Sequence, residues 1–516
     1  MARSLAQSYL RGEAEELFPL HFGSAADRRR AVGSAVRPLD PLVADELEAQ
    51  NARFGDSPAR ARNLASLRAG AAAVVTGQQV GLFLGPLYTI YKAASAVRIA
   101  RALEAETGAK VVPVFWLQTE DHDLPEIAAC TVASPDGRLV ELRIPHDDGR
   151  VSIAHRRLPA EVGRLHVVLH EELRDLPHAE EHLSLLRLHY REGAGLGNAF
   201  AGVLADLFAD AGLVLVDPRT KALAEAGRPV HLRALRDAKA IAAALGERSE
   251  RLRASGYPVA VHVREGAPLS FFHPDGAEGP RYRLDGDLAE VGGSGRHELP
   301  ELLSILDRDP LRFSTSALVR PLLQDTILPT ACYVGGPGEL AYFAQLAPLY
   351  EAFERPMPLV AHRARFVAVE PRARRLLRKL DLSTADASLA EDELLARCAR
   401  RHPALPSSLL ESIDAALLEA AAPLGGEMEK ALVRTRTSVR VALDRFAARH
   451  SAVCLRRDEA LVEDVRKLRR LLFPDAPQER ILGLPHFAAR WGGRAFAEAA
   501  IAVAEPFDAS LRELEP

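Results

Sequence analysis

Ala71-Ala-Ala-Val-Val-Thr76-Gly77-Gln78-Gln79-Val80-Gly81-Leu82-Phe83-Leu84-Gly85-Pro86-Leu87-Tyr88-Thr-Ile-Tyr-Lys92, followed one helix-length later by Val111-Val-Pro-Val-Phe-Trp-Leu117, holds the alternation that determines the fold. The first run is continuously apolar and short, as in a strand buried on both faces. A glycine-rich loop follows, and Pro86 suits the first position of a helix. That helix is expected to reach about Thr107, with Gly108 as its stop. On it Leu87, Ile90, Ala94 and Val97 form an apolar stripe, and Tyr88, Lys92 and Ser95 form a second one. The next strand is the run 111–117. Strand, loop, helix and strand make a βαβ unit, which builds a parallel sheet, so the expected class is α/β with a parallel-sheet core.

The pattern extends in both directions. The first seventy residues read as helices with polar breaks. Helical Asn198 to Ala211 precedes Leu213-Val-Leu-Val-Asp217, and strands are expected at Tyr257–Val263, Thr330–Val334 and within Met357–Val369. Residues 131–185 and 264–310 are polar and irregular and read as insertions into the core, which spans residues 1–375. Beyond it the strand signals stop. Leu432, Val439, Phe446 and Val453 recur every seven residues, and Leu461, Val465, Leu468 and Leu472 alternate spacings of four and three. Both rows are heptad-like, which predicts an α-helical coiled-coil region over 376–475, with a break near Ser451 to Arg457, that pairs two copies of the chain. A globular helical core explains the same rows. Residues 476–516 form a final segment expected to pack back on the core.

Composition narrows the function. The 516 residues carry a formal net charge of −4, so no basic excess points to nucleic acid or an anionic membrane. Arg372, Arg374, Arg375, Arg378 and Lys379 read as a solvated helix face. Cys130, Cys332, Cys398 and Cys454 are scattered without metal-ligand or secreted-type spacing, which suits a reducing compartment. The N-terminus has no signal-peptide core, and no apolar run has membrane-spanning length. A cytoplasmic protein is expected.

Three stretches carry candidate chemistry, each at the end of an expected strand, where open α/β sheets bind ligands. The loop Gly77, Gln78, Gln79, Gly81, Gly85 allows close backbone approach, and the helix behind it favours phosphate or carboxylate, with Tyr88 and Lys92 on its face. The run Glu120-Asp121-His122-Asp123 combines an imidazole with carboxylates, as a general base and its orienting partner require. Strand alternation, extended that far, sets Glu120 and His122 opposite Asp121 and Asp123. The turn Gly335-Gly336-Pro337-Gly338-Glu339 is built to cradle an anion, with Arg320 and Arg363 as clamps for a carboxylate. No metal site is expected. P-loop, G-x-G-x-x-G, H-E-x-x-H and G-x-S-x-G patterns are missing.

The strings VVTGQQVGLFLGPLYTIYK, VVPVFWLQTEDHD, FSTSALVRPLLQDTILPTACYVGGPGELAYF and LFPDAPQERILGL together resemble the bacillithiol-biosynthesis cysteine-adding enzymes, in order from the N-terminal helices to the C-terminus. The resemblance implies a Rossmann-like core similar to class I aminoacyl-tRNA synthetases and nucleotidyltransferases, with connecting insertions and a dimer-forming coiled coil. It implies a ligase that joins cysteine to the amine of glucosamine–malate. The synthetase signatures H-x-G-H and K-M-S-K-S do not occur; Gly85-Pro86-Leu87-Tyr88 falls where the first belongs, with Tyr88 and Lys92 as substitutes. ATP or another nucleotide, with Mg2+, is therefore an expectation by analogy. On this reading Lys92, Asp121, His122 and Asp123 are catalytic. The glutamines and glycines of both loops, with Tyr88, Glu120, Arg320 and Glu339, bind substrate or nucleotide. A nucleotidyltransferase acting on another small molecule and a non-catalytic dimeric scaffold are the alternatives.

Overall fold

In the computed structural model, residues 4–134, 137–147, 149–284, 297–399 and 407–516 are described. Five parallel strands form the central sheet: β1 (Ala72–Gln78), β2 (Val111–Leu117), β3 (Val214–Val216), β4 (Thr330–Gly335) and β5 (Leu359–His362). Their spatial order is β3-β2-β1-β4-β5. This is the doubly wound order, and it reverses between β1 and β4, where the carboxyl ends of the strands open a crevice. β1 and β2 are buried almost throughout, as their continuous apolar runs require.

The four N-terminal helices Leu5–Leu10, Ala25–Ala35, Pro41–Ala52 and Pro58–Arg68 start on side-chain caps. Ser4, Ser24, Asp40 and Ser57 each accept a hydrogen bond from a first-turn N–H. The crossover helix from β1 to β2 is Tyr88–Thr107, ended by Gly108 in the left-handed region at φ 71°. It begins later than Pro86. Leu87 donates its N–H to Leu482 O, and Pro86 is drawn into a bridge with Gly483, so the C-terminal segment sets the helix start.

Three further expectations change. Residues 257–263 form no strand, because the side chain of Gln345 pairs the N–H and C=O of Val261 in place of a neighbouring strand. The segment 131–185 is largely regular: a hairpin of Ala129–Ala133 and Leu139–Arg143, then helices Val162–Leu173 and Ala179–His189. Within 264–310, short strands Ser270–Phe272 and Tyr282–Arg283 join Phe313–Thr315 in a three-stranded antiparallel sheet, and residues 285–296 lie outside the described residues.

Contacts divide the chain into two units, Met1–Phe366 with Glu479–Leu514, and Val367–Gln478. In the first, helix Gly493–Val503 lies against the β1–β2 crossover helix and Leu484–Trp491 against Ala179–His189. The second is helical, with Glu429–Arg457 and Glu459–Leu472 separated at Asp458, which caps the later helix through Leu461 N–H. Val465, Leu468 and Leu472 are buried in this unit's own core with Ala373, Leu377 and Leu394. That heptad row therefore packs within the subunit. In the other row Phe446 and Val453 are exposed. Among the described residues no helix is long and apolar enough to cross a membrane.

Burial holds several histidines neutral. His182, His231 and His362 are pushed down to about 4 and His273 to about 3, chiefly by desolvation. An unfolded chain takes up these protons below 6.5 while the folded one refuses them, so each group removes stability as pH falls from 6.5 toward 4. Asp325, raised by burial to about 6, and Asp217, also raised by burial, act oppositely, but the lowered histidines outnumber them. The melting temperature is expected to drop steadily from pH 7 to pH 5 in scanning fluorimetry; a flat or rising profile contradicts the assignment.

Candidate functional site

The carboxyl ends of β1, β2 and β4 bring the three candidate stretches together. The link between the first and third is Lys92, buried on the crossover helix. Its Nζ lies 2.6 Å from Glu339 Oε2, donates to Gly77 O at 2.8 Å and to Gln78 Oε1 at 2.9 Å. An ammonium has three N–H donors, and here all three have partners. Desolvation lowers the Lys92 pKa, and the Glu339 carboxylate opposes that shift. Lys92 thus spans the crevice between β1 and β4.

Glu339 fills the anion cradle of its own turn. Its carboxylate also accepts from Gly336 N–H at 2.7 Å and from Tyr333 Oη at 2.5 Å. Gly335 has to be glycine, since a Cβ there meets Glu339 Cβ at 2.8 Å, whereas Gly338 faces open space. Arg363 is engaged too: it pairs bidentately with buried Glu479 at 2.7 and 2.8 Å, and its guanidinium lies 5.7 Å from the Tyr88 ring. Arg363 is therefore committed to the C-terminal segment of its own chain and is not free to act as the carboxylate clamp expected of it.

The loop after β1 is likewise held from within the protein. Phe83 and Leu84 have left-handed backbones at φ 48° and 71°, and Gly85 follows at φ 63°. Tyr190 pins the turn: its hydroxyl donates to Gly81 O at 2.9 Å and accepts from Leu84 N–H at 3.1 Å. Gly81 and Gly85 N–H bond within the loop, and Leu87 N–H bonds Leu482 O. The Gly81, Leu84, Gly85 and Leu87 amides are thus spent on holding the loop. Gln78 Nε2 reaches the Tyr88 hydroxyl at 3.4 Å, and Gln79 Nε2 reaches Glu126 at 2.8 Å and Asp121 at 3.4 Å.

β2 ends at Leu117, so strand alternation does not govern the acidic run. Residues 118–123 form a turn tied to segment 152–154 by Ser152 Oγ to Glu120 O, Ile153 N–H to Asp121 O and Ala154 N–H to Thr119 O. Glu120 is buried, and its Oε2 accepts from Thr315 Oγ1 at 2.5 Å. Asp123 caps the short helix Leu124–Ile127 through Glu126 N–H. Asp121 and His122 remain at the half-open face, with His122 Nδ1 3.6 Å from Asp121 Oδ1 and Asp121 accepting the His122 N–H at 2.8 Å. Burial alone raises the Asp121 carboxyl, but Arg320, Arg281 and that N–H outweigh it and hold it below its ordinary value. Burial, then the Arg281 charge, lowers His122, so its imidazole is neutral at pH 7. Arg320 donates to Gln118 Oε1 at 3.2 Å. Arg320 Nε, Ser316 Oγ and His122 Nδ1 are buried with no hydrogen-bond partner. Among the described residues no group of three His, Cys, Asp or Glu side chains is arranged to hold a metal.

Gln118, Arg281, Ser316, Tyr190 and Glu479 were not singled out by sequence reasoning. Gln118 and Ser316 sit inside the quoted strings, one residue past a strand and four before Arg320. Arg281 lies in a polar segment with no periodicity to flag it.

The model of the family described as "Bacillithiol biosynthesis BshC, N-terminal Rossmann-like domain" matches residues 3–364. Three proteins named "Putative cysteine ligase BshC" are similar over most of the chain. The one from Koribacter versatilis is 34% identical over 87% of this chain and 85% of its own. That from Heliobacterium modesticaldum is 33% identical over 95% and 94%. That from Salinibacter ruber is 36% identical over 70% and 66%.

Removing one partner of a buried ion pair leaves the other charge unmatched, at a cost of about 3–5 kcal/mol. Lys92→Met is expected to lower the denaturation midpoint accordingly, and adding Glu339→Gln to recover part of the loss. Equal midpoints for Lys92→Met and the parent rule out the linking role.

Proposed function

The chain belongs to the bacillithiol-biosynthesis BshC family, and from that premise we propose that it is a carbon–nitrogen ligase joining the carboxyl carbon of cysteine to the amine of glucosamine–malate. The observation that carries the reading is the Asp121–His122 pair beside Arg320 and Gln118, on the carboxyl edge of the parallel sheet next to the point where strand order reverses.

Joining a carboxylate to an amine in water needs activation of the carboxylate, which ATP with Mg2+ supplies when bound. The fit of such a group differs across the edge. Lys92 has no donor left and the Gly81, Leu84, Gly85 and Leu87 amides are engaged within the protein, whereas Arg320 Nε and Ser316 Oγ are buried donors without partners. Arg320 and Ser316 are therefore the residues assigned to hold an anionic oxygen, whether of a nucleotide phosphate or of the malyl carboxylate. Lys92 acts as a positioning residue that fixes the β1 loop against the β4 turn.

The neutral His122 imidazole accepts a proton from the incoming ammonium, which frees the nitrogen lone pair for attack, and Asp121, held ionised by Arg320 and Arg281, stabilises the imidazolium that forms. The new bond is C–N, and the activating group leaves from the carboxyl carbon with its electron pair.

The test is reconstitution of the purified chain with cysteine, glucosamine–malate and ATP, with the coupled thiol measured by mass spectrometry and the released nucleotide identified. AMP marks adenylation and ADP an acyl phosphate; no coupled product with any nucleotide defeats the reading. His122→Ala is expected to lower kcat by at least about a hundredfold with an unchanged melting temperature. Because the base must be neutral and its pKa lies below 6.5, parent activity falls only as pH drops through that lowered value.

The helical unit is assigned to dimerisation. Val433, Val441, Phe446 and Val453 expose apolar surface along helix Glu429–Arg457. Light scattering is expected to give twice the 56.0 kDa subunit mass. Phe446→Glu is expected to shift the chain toward monomer without unfolding it; a monomeric parent at micromolar concentration refutes the assignment.

A further inference from the structure

Arg281 directly precedes the strand Tyr282–Arg283 of the short antiparallel sheet formed between β3 and β4, far in sequence from the turn it serves. Its side chain is 2% exposed. One end of its fork donates to Glu120 O and the other to Thr315 O at 3.2 Å. The guanidinium lies 3.9 Å from the centre of the Phe271 ring and 4.0 Å from Asp121 Oδ1. The His122 ring centre lies 6.4 Å from that of the same Phe271. A planar cation stacked on an aromatic ring and forked across two carbonyls has one orientation available.

We infer that Arg281 is the positioning residue of the Asp121–His122 pair: it locks the turn after β2 through Glu120 O and presents a fixed positive charge to both members. The inference rests on the reading of His122 as the base, but its physical content does not. The charged groups facing His122 are Arg281, Asp121, Arg150 and Asp123. Arg150 is drawn toward the Tyr282 ring, 5.3 Å away, and Asp123 caps its own helix. Arg281 is the buried cation of the set, and it acts on the imidazole through little water. Removing its charge makes His122 easier to protonate, so the ring's midpoint moves up toward 6.5. Lysine in its place keeps the charge but has no planar fork to span Glu120 O and Thr315 O. The turn then shifts while the charge remains.

The test compares Arg281→Gln and Arg281→Lys in the full chain. His122 titration is followed by NMR of the 13C-labelled imidazole, assigned from its loss in His122→Asn, and coupling kinetics are measured across pH. Arg281→Gln is expected to raise the His122 midpoint and to move the acidic limb of kcat/KM with it. Arg281→Lys is expected to keep the low midpoint and to lose roughly ten- to a hundredfold in kcat, with KM little changed. A folded Arg281→Gln chain with an unmoved His122 midpoint overturns the inference, as does Arg281→Lys with parental kcat. Where Arg281→Gln fails to fold, the lysine variant alone decides. A midpoint that moves while the acidic limb stays put supports the positioning role of Arg281 and removes His122 as the base.

Discussion

The ion pair of Lys92 and Glu339 crosses the one place where the sheet changes direction. β1 and β4 are neighbours, but their connections leave toward opposite sides, so the chain there opens instead of closing. An opening lined by backbone C=O and N–H groups needs partners, and the pair supplies them. Lys92 satisfies Gly77 O and the Gln78 side chain from one side, and Glu339 satisfies Gly336 N–H and Tyr333 from the other. Neither charge is tolerable alone in so buried a position. The loop after β1, the turn after β4 and the crossover helix thus hold one another in register.

Charge is distributed along the carboxyl edge by the same economy. The glycine-rich loops look like anion cradles, yet Leu84, Leu87 and Gly336 already give their N–H groups to Tyr190, to Leu482 and to the chain's own Glu339 carboxylate. Free donor capacity sits one strand further along, at Arg320 and Ser316. Two guanidiniums, Arg320 and Arg281, bear on a single carboxylate, Asp121, and keep it ionised despite burial, while burial and the Arg281 charge keep the adjacent imidazole neutral. An ionised carboxylate beside a neutral imidazole is the protonation state that proton acceptance near neutral pH requires. The segments between strands serve this edge: Ser152 to Ala154 and Arg281 hold the turn after β2, and Tyr190 holds the loop after β1.

Local signals read well. The apolar runs at 72–78 and 111–117 and the helix stopped by Gly108 followed directly from residue pattern, because strand burial and helix termination depend on neighbours a few residues away. The same logic overreached at 257–263, where a β-like run pairs with the side chain of Gln345, and at 118–123, where alternation was carried past the end of β2. In the helical unit, two heptad rows of equal quality met different fates. Val465, Leu468 and Leu472 are buried within the unit, while Phe446 and Val453 face out, a distinction that periodicity cannot make.

By itself, then, the sequence determined the class of the core, the candidate strand ends and, through long unusual strings, the family. Those properties rest on short-range periodicity and on residue identity. Only the tertiary structure decided which charges meet. Lys92 and Glu339, Arg363 and Glu479, and Arg281 and Asp121 are joined by chain crossings with no local signature. Whether a polar residue faces a ligand or is consumed inside the protein depends on the partner that the fold brings to it. Gly335 and Gly338 look equivalent in sequence, yet one is wedged against Glu339 and the other faces open space. The physical reason is that desolvation and hydrogen-bond satisfaction are properties of a three-dimensional neighbourhood, set only once distant segments have packed.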